Sequence, residues 1–239
     1  MTSSPRKRLG LVIDLNACVG CHACAVACKQ ENSVGLSGRS SDVEAYQASP
    51  RGVWPNRVHS YEFGEGAAGR TVYFPKTCLH CEAPACVTVC PTGASYKRAD
   101  DGIVLIDHDK CIGCKLCAWA CPYGAREFDE VEAVMKKCTL CVDRIHDREL
   151  PVEDRQPICV TTCPANARHF GDFADPESNV SRLTREFGGF DPLPELKYRP
   201  TSKYLPPRSV TADGRKTAAR KLERSPRALL DFLDALLTR

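Results

Sequence analysis

Residues 111–122 read Cys111-Ile-Gly-Cys114-Lys-Leu-Cys117-Ala-Trp-Ala-Cys121-Pro122. The first three cysteines are spaced three residues apart, so one tight loop can wrap them around three corners of a cubane iron–sulfur cluster. Gly113 permits a backbone turn that a Cβ atom would obstruct. Cys121 lies too far along the chain to reach the same cluster comfortably, and in two-cluster proteins a cysteine at this position ligates the other cluster. One such motif therefore predicts a second.

The motif occurs four times, and together the four groups use all sixteen cysteines of the chain. Proline follows the last cysteine of three groups, at Pro91, Pro122 and Pro164, whereas Lys29 takes that place in the first group. The groups are Cys18, Cys21, Cys24 and Cys28; Cys78, Cys81, Cys86 and Cys90; Cys111, Cys114, Cys117 and Cys121; and Cys138, Cys141, Cys159 and Cys163. Four complete groups predict four [4Fe-4S] clusters as the cofactors.

Two other uses of cysteine compete with this interpretation. An even cysteine count suits a disulfide framework in a secreted protein. The N-terminal residues contain no apolar signal core, however, because Gly10 and Asp14 interrupt the only candidate. Structural zinc uses Cys-x-x-Cys pairs, but zinc needs neither the third cysteine nor the trailing Cys-Pro that recur here. Iron–sulfur ligation explains both recurrent features.

The charge of the protein changes once the clusters are counted. The 239 residues include 33 Lys and Arg against 30 Asp and Glu, which gives a formal net charge of +3. Roughly two negative charges per oxidised four-thiolate site add about −8 and bring the loaded protein to about −5. Nucleic-acid binding thereby loses its electrostatic support. The sequence also lacks an apolar run of about eighteen residues, so it predicts no membrane span.

Short strands are predicted ahead of three cysteine groups. Leu9–Asp14 is predicted to lead into the first group and residues 71–74 into the second. Residues 103–106 follow the turn signal Asp100-Asp101-Gly102 and lead into the third group. His80 and Trp119 lie between cysteines. We expect an exposed loop histidine at the first position and a ring packed against a cluster at the second.

The remaining regions are predicted from their composition. Residues 31–70, rich in Gly, Ser and Pro, predict a long irregular excursion over the surface. Residues 176–188 predict a helix, and the prolines between 192 and 207 predict an extended strap lying on another surface. A second helix is predicted to begin at Ser225-Pro226. Its apolar residues favour docking on a partner subunit over anionic lipid: Leu229, Phe232, Leu233 and Leu236.

Four segments carry a resemblance to a known family. They are Cys-Leu-His-Cys-Glu-Ala-Pro-Ala-Cys at 78–86, Cys-Ile-Gly-Cys-Lys-Leu-Cys at 111–117, Cys-Pro-Tyr-Gly-Ala at 121–125 and Lys-Lys-Cys-Thr-Leu-Cys-Val-Asp-Arg at 136–144. With them, residues 9–175 resemble the four-cluster iron–sulfur (beta) subunits of the DMSO-reductase family of molybdoenzymes. Within that family the similarity is greatest to the iron–sulfur subunits of cytoplasmic membrane-bound sulfite dehydrogenases. Arg168-His-Phe-Gly-Asp172 and Lys203-Tyr-Leu-Pro-Pro-Arg208 carry this narrower similarity.

The resemblance implies an α+β fold with two nested ferredoxin-like modules. Residues 9–30 and 125–175 would form the outer module, and residues 71–124 would form the inserted one. The excursion would occupy residues 31–70, and the strap and helix would occupy residues 176–239.

The resemblance also implies crossed ligation, in which the last cysteine of each group joins three cysteines of another group. The Cys18 set would be Cys18, Cys21, Cys24 and Cys163; the Cys28 set, Cys28, Cys138, Cys141 and Cys159; the Cys78 set, Cys78, Cys81, Cys86 and Cys121; and the Cys90 set, Cys90, Cys111, Cys114 and Cys117. The Cys18 set would face a catalytic subunit, and the Cys90 set would face a membrane anchor.

The implied function is electron transfer without catalysis on this chain, so no catalytic residue is assigned. The clusters would relay electrons between a molybdopterin-containing catalytic subunit and an integral membrane, quinone-binding anchor subunit, in the oxidation of sulfite to sulfate. One alternative is the same role in a DMSO, polysulfide or tetrathionate reductase. Another is a soluble polyferredoxin carrier, which would have little use for the long tail.

The expected location is cytoplasmic, on the inner membrane through the anchor subunit. Arg6-Lys7-Arg8 is not a twin-arginine signal followed by an apolar core. Co-export in the folded state with a signal-bearing partner would instead place the chain in the periplasm, and this alternative stays open.

Overall fold

A computed structural model describes residues 6–32, 52–63 and 69–208. Short strands and short helices are mixed along this part of the chain. The strands are β1 Leu9–Asp14, β2 Asn56–Phe63, β3 Arg70–Thr77, β4 Ser95–Lys97, β5 Val104–Ile106, β6 Glu127–Asp129, β7 Val134–Lys136, β8 Arg168–Asp172 and β9 Lys203–Leu205. The helices are α1 Ala23–Asn32, α2 Ala85–Thr88, α3 Leu116–Trp119, α4 Val142–His146, α5 Ile158–Thr161 and α6 Asn179–Glu186.

Strand β1 is the centre of the fold, and its six residues are all buried. It pairs antiparallel with β8 and parallel with β9 in a three-stranded sheet. Because side chains alternate between the two faces of a strand, Leu11 and Ile13 enter the main core, whereas Val12 packs with Val180 and Leu205 on the other face. The predicted strand at Leu9–Asp14 is confirmed.

The proline-rich tail does not lie on another surface, because part of it completes the sheet of its own chain. Residues 201–205 contain no proline, so their N–H groups are available for pairing, and β9 joins β1 with Val12 opposite Lys203. Tyr204 is 1% exposed and stacks on Phe74 at 4.4 Å between ring centroids. Its hydroxyl donates a hydrogen bond of 2.9 Å to the carbonyl oxygen of Pro75. The prediction of a strap was therefore wrong at these residues.

A second correction concerns the excursion predicted for residues 31–70. Strand β2 occupies Asn56–Phe63 and pairs antiparallel with β3 along its whole length, from Asn56 opposite Thr77 to Phe63 opposite Arg70. Tyr61 and Phe63 alternate with polar residues, which is a strand signal that the surrounding glycines and serines obscured. Residues 33–51 and 64–68 of the excursion lie outside the described part of the chain.

Two further expectations are confirmed, and a third falls on residues that the structure does not describe. The hairpin at the Asp100-Asp101-Gly102 turn is confirmed as β4 paired with β5. The predicted helix near 176–188 is confirmed as α6, whose Val180 is fully buried. The helix expected from Ser225 lies outside the described residues. Within the described ranges, no helix has the length and apolar character needed to cross a membrane.

Replacing Tyr204 tests whether the tail holds the sheet together. Tyr204→Ala removes a buried ring, which typically costs about 3–5 kcal/mol, whereas Tyr204→Phe removes only the hydroxyl bond and costs about 1 kcal/mol. We expect the denaturant concentration at which the anaerobic protein loses its cluster absorbance to fall far more for Tyr204→Ala. An equal, negligible change in both variants would show that the tail is dispensable for stability.

Candidate iron–sulfur sites

Each cysteine group begins with a Cys-x-x-Cys pair, and in each of these four first pairs the residue before the second cysteine has a left-handed backbone conformation. Gly20 and Gly113 have φ values of 68° and 65°, and His80 and Leu140 have φ values of 49° and 56°. A Cβ atom built on Gly113 would lie 2.5 Å from the carbonyl oxygen of Ala133, so glycine is required there, as predicted. The shared conformation turns the chain so that both thiols of a pair reach the same side of the loop.

His80 is placed differently from the expectation. It is fully buried, and its Nδ1 accepts a hydrogen bond of 3.1 Å from the backbone N–H of Val104. The histidine is therefore part of the core, where it links the second cysteine loop to β5, and the expectation of an exposed loop histidine was wrong. Trp119, by contrast, is 80% exposed to solvent. Packing of its ring against a cluster stays a prediction.

Two of the four expected cysteine sets surround clefts. The Cys18 set lines a cleft of about 340 Å³, together with Arg168 and the apolar residues Val19 and Val58. The Cys90 set lines a cleft of about 310 Å³, together with Arg126, Ile112 and Met135. In both clefts, one cysteine comes from a different sequence group than the other three.

The thiols of the other two sets lie close enough to influence one another electrostatically. Burial, and next the charges of the three other members of the Cys28 set, raise the pKa of the Cys28 thiol well above its ordinary value. Burial, and next the charges of the three other members of the Cys78 set, raise the pKa of the Cys81 thiol. The structure thus brings together cysteines that are far apart in the chain: Cys28 and Cys159 are separated by 131 positions, and Cys18 and Cys163 by 145.

The donor set fits iron–sulfur clusters. Thiols with raised pKa values ionise only with difficulty, and metal coordination supplies the energy that drives their deprotonation. Backbone N–H groups are already directed at sulfur atoms: those of Ser95 and Ala167 lie 3.3 Å from the Sγ atoms of Cys90 and Cys163, respectively. Similar donors at 3.4 Å are the N–H groups of Met135, toward Cys111, and Leu140, toward Cys138. Such bonds stabilise thiolates and adjust cluster potentials.

The arrangement does not resemble a site for one ion. Among the described residues, no group of three or more His, Cys, Asp or Glu side chains has a geometry that could hold a single metal ion. A cubane has a body of iron and sulfide between its ligands, so its four thiolates stand further apart than the ligands of one ion. When bound, such a cluster accepts and releases one electron.

Sequence reasoning missed a set of buried basic residues beside these thiols. Arg126 donates a hydrogen bond of 2.9 Å from Nη2 to the Sγ of Cys86, and Arg168 lines the cleft of the Cys18 set. Lys137 is buried directly before Cys138. Spacing and composition gave no reason to single out any of the three as a neighbour of a cluster. The signal available in the sequence was that each of the three lies within five positions of a cysteine ligand. Basic residues are also common on protein surfaces, so this spacing alone does not identify a neighbour of a cluster.

Comparisons with protein-family models support the cofactor. Two models described as 4Fe-4S dicluster domains match the chain, one over residues 17–94 and one over residues 70–173. Together they include all four cysteine groups. Two dicluster domains and sixteen cysteines imply four [4Fe-4S] clusters.

Similar proteins are B subunits of oxidoreductases. The chain is 59% identical to the B subunit of the sulfite dehydrogenase of Allochromatium vinosum, over 85% of each chain. It is 35% identical to the B subunit of the anaerobic dimethyl sulfoxide reductase of Escherichia coli, over 79% of this chain and 83% of the relative. It is 34% identical to the B subunit of the polysulfide reductase of Wolinella succinogenes, over 84% and 95%. The chain therefore belongs to the family of iron–sulfur electron-transfer subunits of the DMSO-reductase family of molybdoenzymes.

Proposed function

We propose that the sixteen cysteines bind the four clusters in crossed sets, with the membership that the resemblance implies. The proposal is supported by the two clefts and by the mutual influence of the thiols in the two remaining sets. The first group is paired with the fourth, and the second with the third. In each pair, the first three cysteines of one group and the last cysteine of the other group hold one cluster. This exchange ties distant loops of the chain to each other through iron.

We further propose that the fold contains one ferredoxin-like module inserted into another. Residues 9–30 and 125–175 form the outer module, and residues 71–124 form the inserted one. Helix α1 packs against α5, which joins the first and fourth groups, and α2 packs against α3, which joins the second and third groups. The pairing of β1 with β8 brings together the beginning and the end of the outer module.

The exposure of the thiols is the observation that supports an electron relay most directly. Cys21, in the Cys18 set, and Cys114, in the Cys90 set, are exposed. All four thiols of the Cys28 set are buried, and those of the Cys78 set are buried or half-buried. This difference in exposure supports an order in which two inner clusters lie between two outer ones that other proteins can approach. A relay needs this order, because electrons enter and leave at its ends.

Exposed apolar side chains lie near both ends of the relay, one at the Cys18 end and two at the Cys90 end. Val19 follows Cys18 and is 59% exposed, and Ile112 and Trp119, which lie among or just after the cysteines of the Cys90 set in the chain, are 66% and 80% exposed. Several exposed apolar residues together, as at the Cys90 end, are typical of surfaces that other proteins cover. We propose that a molybdopterin-containing catalytic subunit covers the Cys18 end and that a quinone-reactive membrane anchor covers the Cys90 end.

The proposed reaction of the complex is the oxidation of sulfite to sulfate, with quinone as the acceptor. The 59% identity to a sulfite dehydrogenase subunit supports this substrate over the substrates of the more distant reductases. The same relay could serve a DMSO, polysulfide or tetrathionate reductase by running in the opposite direction. We place the complex on the cytoplasmic face of the membrane, with co-export to the periplasm as the alternative.

Cluster content is the first test. Protein purified anaerobically should contain about sixteen iron atoms and about sixteen acid-labile sulfides per chain, and essentially no zinc. Metal analysis and sulfide determination measure both quantities. Stoichiometric zinc, or about eight iron atoms after careful reconstitution, would contradict four cubanes.

Crossed ligation can be tested within one motif. Cys114 and Cys121 belong to the same sequence group, but the proposal assigns them to different clusters. Cys114→Ala and Cys121→Ala remove the donor atom, so each should convert one cluster to a three-iron form, and the double variant should contain two three-iron clusters. Spin quantification by EPR of the oxidised proteins counts them. A double variant with only one damaged cluster would show that both cysteines serve the same cluster.

The substrate can be tested in cells. Deleting the gene for this chain should abolish sulfite-dependent quinone reduction by membranes, and re-expression of the chain should restore it. Membranes of the deletion strain should retain the reduction of DMSO, polysulfide and tetrathionate as an internal control. Survival of sulfite oxidation together with loss of one of these reductase activities would assign the chain to that reductase instead.

A further inference from the structure

Three buried basic side chains lie beside thiols, and none of the three forms a salt bridge with a carboxylate in the part of the chain that the structure describes. Arg126, Lys137 and Arg168 are 5%, 5% and 3% exposed. Some other buried or half-buried charges do have such partners, as Arg208 has with Asp14. An unpaired buried charge is costly unless an opposite charge lies nearby. The three cations therefore require a source of negative charge other than Asp or Glu.

Arg126 lies between the Cys78 set and the Cys90 set. Its Nη2 donates hydrogen bonds of 2.9 Å to the Sγ of Cys86 and 2.8 Å to the hydroxyl of Ser95. The same side chain lines the cleft of the Cys90 set. Burial by itself would lower its pKa, but the charges of Cys86, Cys78 and Cys117 outweigh burial and raise it. Cys78 and Cys86 belong to the Cys78 set, and Cys117 belongs to the Cys90 set, so thiols of both neighbouring sets act on Arg126.

Lys137 is linked by hydrogen bonds to both the Cys28 set and the Cys78 set. It directly precedes Cys138, and its Nζ donates hydrogen bonds to the carbonyl oxygens of Cys138, at 2.7 Å, and Val104. The backbone N–H of Val104 in turn donates to Nδ1 of His80, which lies between two cysteines of the Cys78 set. Burial, and also the charge of Arg126, lower the pKa of Lys137, whereas the charges of nearby cysteines of both sets act in the opposite direction. A cluster of net negative charge in each of the two sets would favour the protonated amine further.

Arg168 lies between the Cys18 set and the Cys28 set. It begins strand β8, where its Nη2 donates a hydrogen bond of 2.7 Å to Oδ1 of Asn56. It lines the cleft of the Cys18 set, and the charges of Cys159 and Cys24 outweigh burial and raise its pKa. Cys159 and Cys24 belong to different sets.

The two arginines also have spare donors. The Nη1 atoms of Arg126 and Arg168 are buried and have no hydrogen-bond partner among the described residues. Buried donors nearly always have partners in folded proteins. Cluster sulfide is an acceptor that suits a guanidinium beside a thiolate ligand.

We propose that Arg168, Lys137 and Arg126 occupy the three junctions of the four-cluster chain, one cation at each junction, and raise the reduction potentials of both clusters that each one adjoins. The proposal rests on the ligand sets of the proposed function. Each electron that enters the chain adds negative charge to a cluster and repels electrons on its neighbours. A cation shared by two clusters offsets this repulsion where it is strongest. Neighbouring clusters can then be reduced together.

Neutral variants provide the test: Arg168→Gln, Lys137→Gln and Arg126→Gln, made in the full chain and purified within its complex. Redox titration monitored by EPR measures all four midpoint potentials. Each variant should lower the midpoint potentials of two of the four clusters. We expect the equilibrium constant for one-electron reduction of each of these two clusters to fall about tenfold, which lowers its midpoint potential by about 59 mV. The Arg168 and Lys137 variants should share one shifted cluster, and the Lys137 and Arg126 variants should share another. The Arg168 and Arg126 variants should share none.

Matched controls separate charge from packing. Arg168→Lys, Lys137→Arg and Arg126→Lys keep the charge, so they should leave the potentials close to those of the wild type. Arg185→Gln removes an exposed charge on α6 and should shift none. If a neutral variant loses clusters while its charge-preserving partner keeps all four at unchanged potentials, the requirement for charge is supported. If both lose clusters, the residue has a packing role and the proposal is overturned for that junction.

Several results would overturn the proposal. They are a neutral variant with no shift, equal shifts of all four clusters, or a cluster shifted by both the Arg168 and the Arg126 variants. The iron content of the wild-type complex distinguishes failure of this proposal from failure of the proposed function, because the proposed function requires four clusters whatever their potentials. Four clusters with potentials that do not respond to the variants would leave the relay standing and remove only the role of the cations.

Discussion

Negative charge in the interior is the constraint on which this structure depends. Sixteen cysteine sulfurs must be deprotonated to hold four clusters, and burial and neighbouring thiols raise the pKa values of several of them, including Cys28, Cys81 and Cys159. Iron supplies the largest part of the compensation, because it binds the thiolate and not the thiol. The protein adds directed N–H groups and buried cations. The fold and the clusters therefore depend on each other, and the chain without iron would lack much of what holds its loops together.

The secondary structure fits this dependence. Four of the six helices have only four or five residues, which is too short to be stable alone. Their role is to place a cysteine, as α3 places Cys117 and α5 places Cys159. Stability without iron comes mainly from the sheet around β1 and from the apolar cluster beneath it. In the proposed sets, crossed ligation connects cysteine loops that are far apart in the chain, and so supplies long-range links that helices and strands do not provide.

The sequence predicted the parts of the structure in which residue type is dictated by local chemistry. Cysteine spacing predicted the loops, glycine at 113 predicted a turn, and the apolar run Leu9–Asp14 predicted the central strand. The failures came from long-range contacts. Nothing within residues 203–205 indicates that they pair with β1, and nothing around His80 indicates that Val104 will bury it. Likewise, the sequence around Arg126 and Lys137 does not show that each of them lies near two cysteine sets, because those sets are brought together only by the fold.

The proposed single file of clusters would also explain why the Cys18 and Cys90 sets differ in exposure from the other two sets. Exposed thiols and exposed apolar side chains occur together at the Cys18 and Cys90 ends, where partner proteins would exchange electrons with the relay. The buried sets between them are protected from water and oxidants, to which an exposed thiolate is vulnerable. Transfer between the ends then needs no movement of the chain.

Anomalous X-ray scattering at the iron absorption edge, measured on crystals of the complex, would locate the clusters directly. It should give four iron centres in a single file, each surrounded by the four cysteines of one crossed set, with the Cys18 and Cys90 sets at the two ends. Fewer than four centres would contradict this arrangement. So would a centre whose four ligands all come from one consecutive cysteine group.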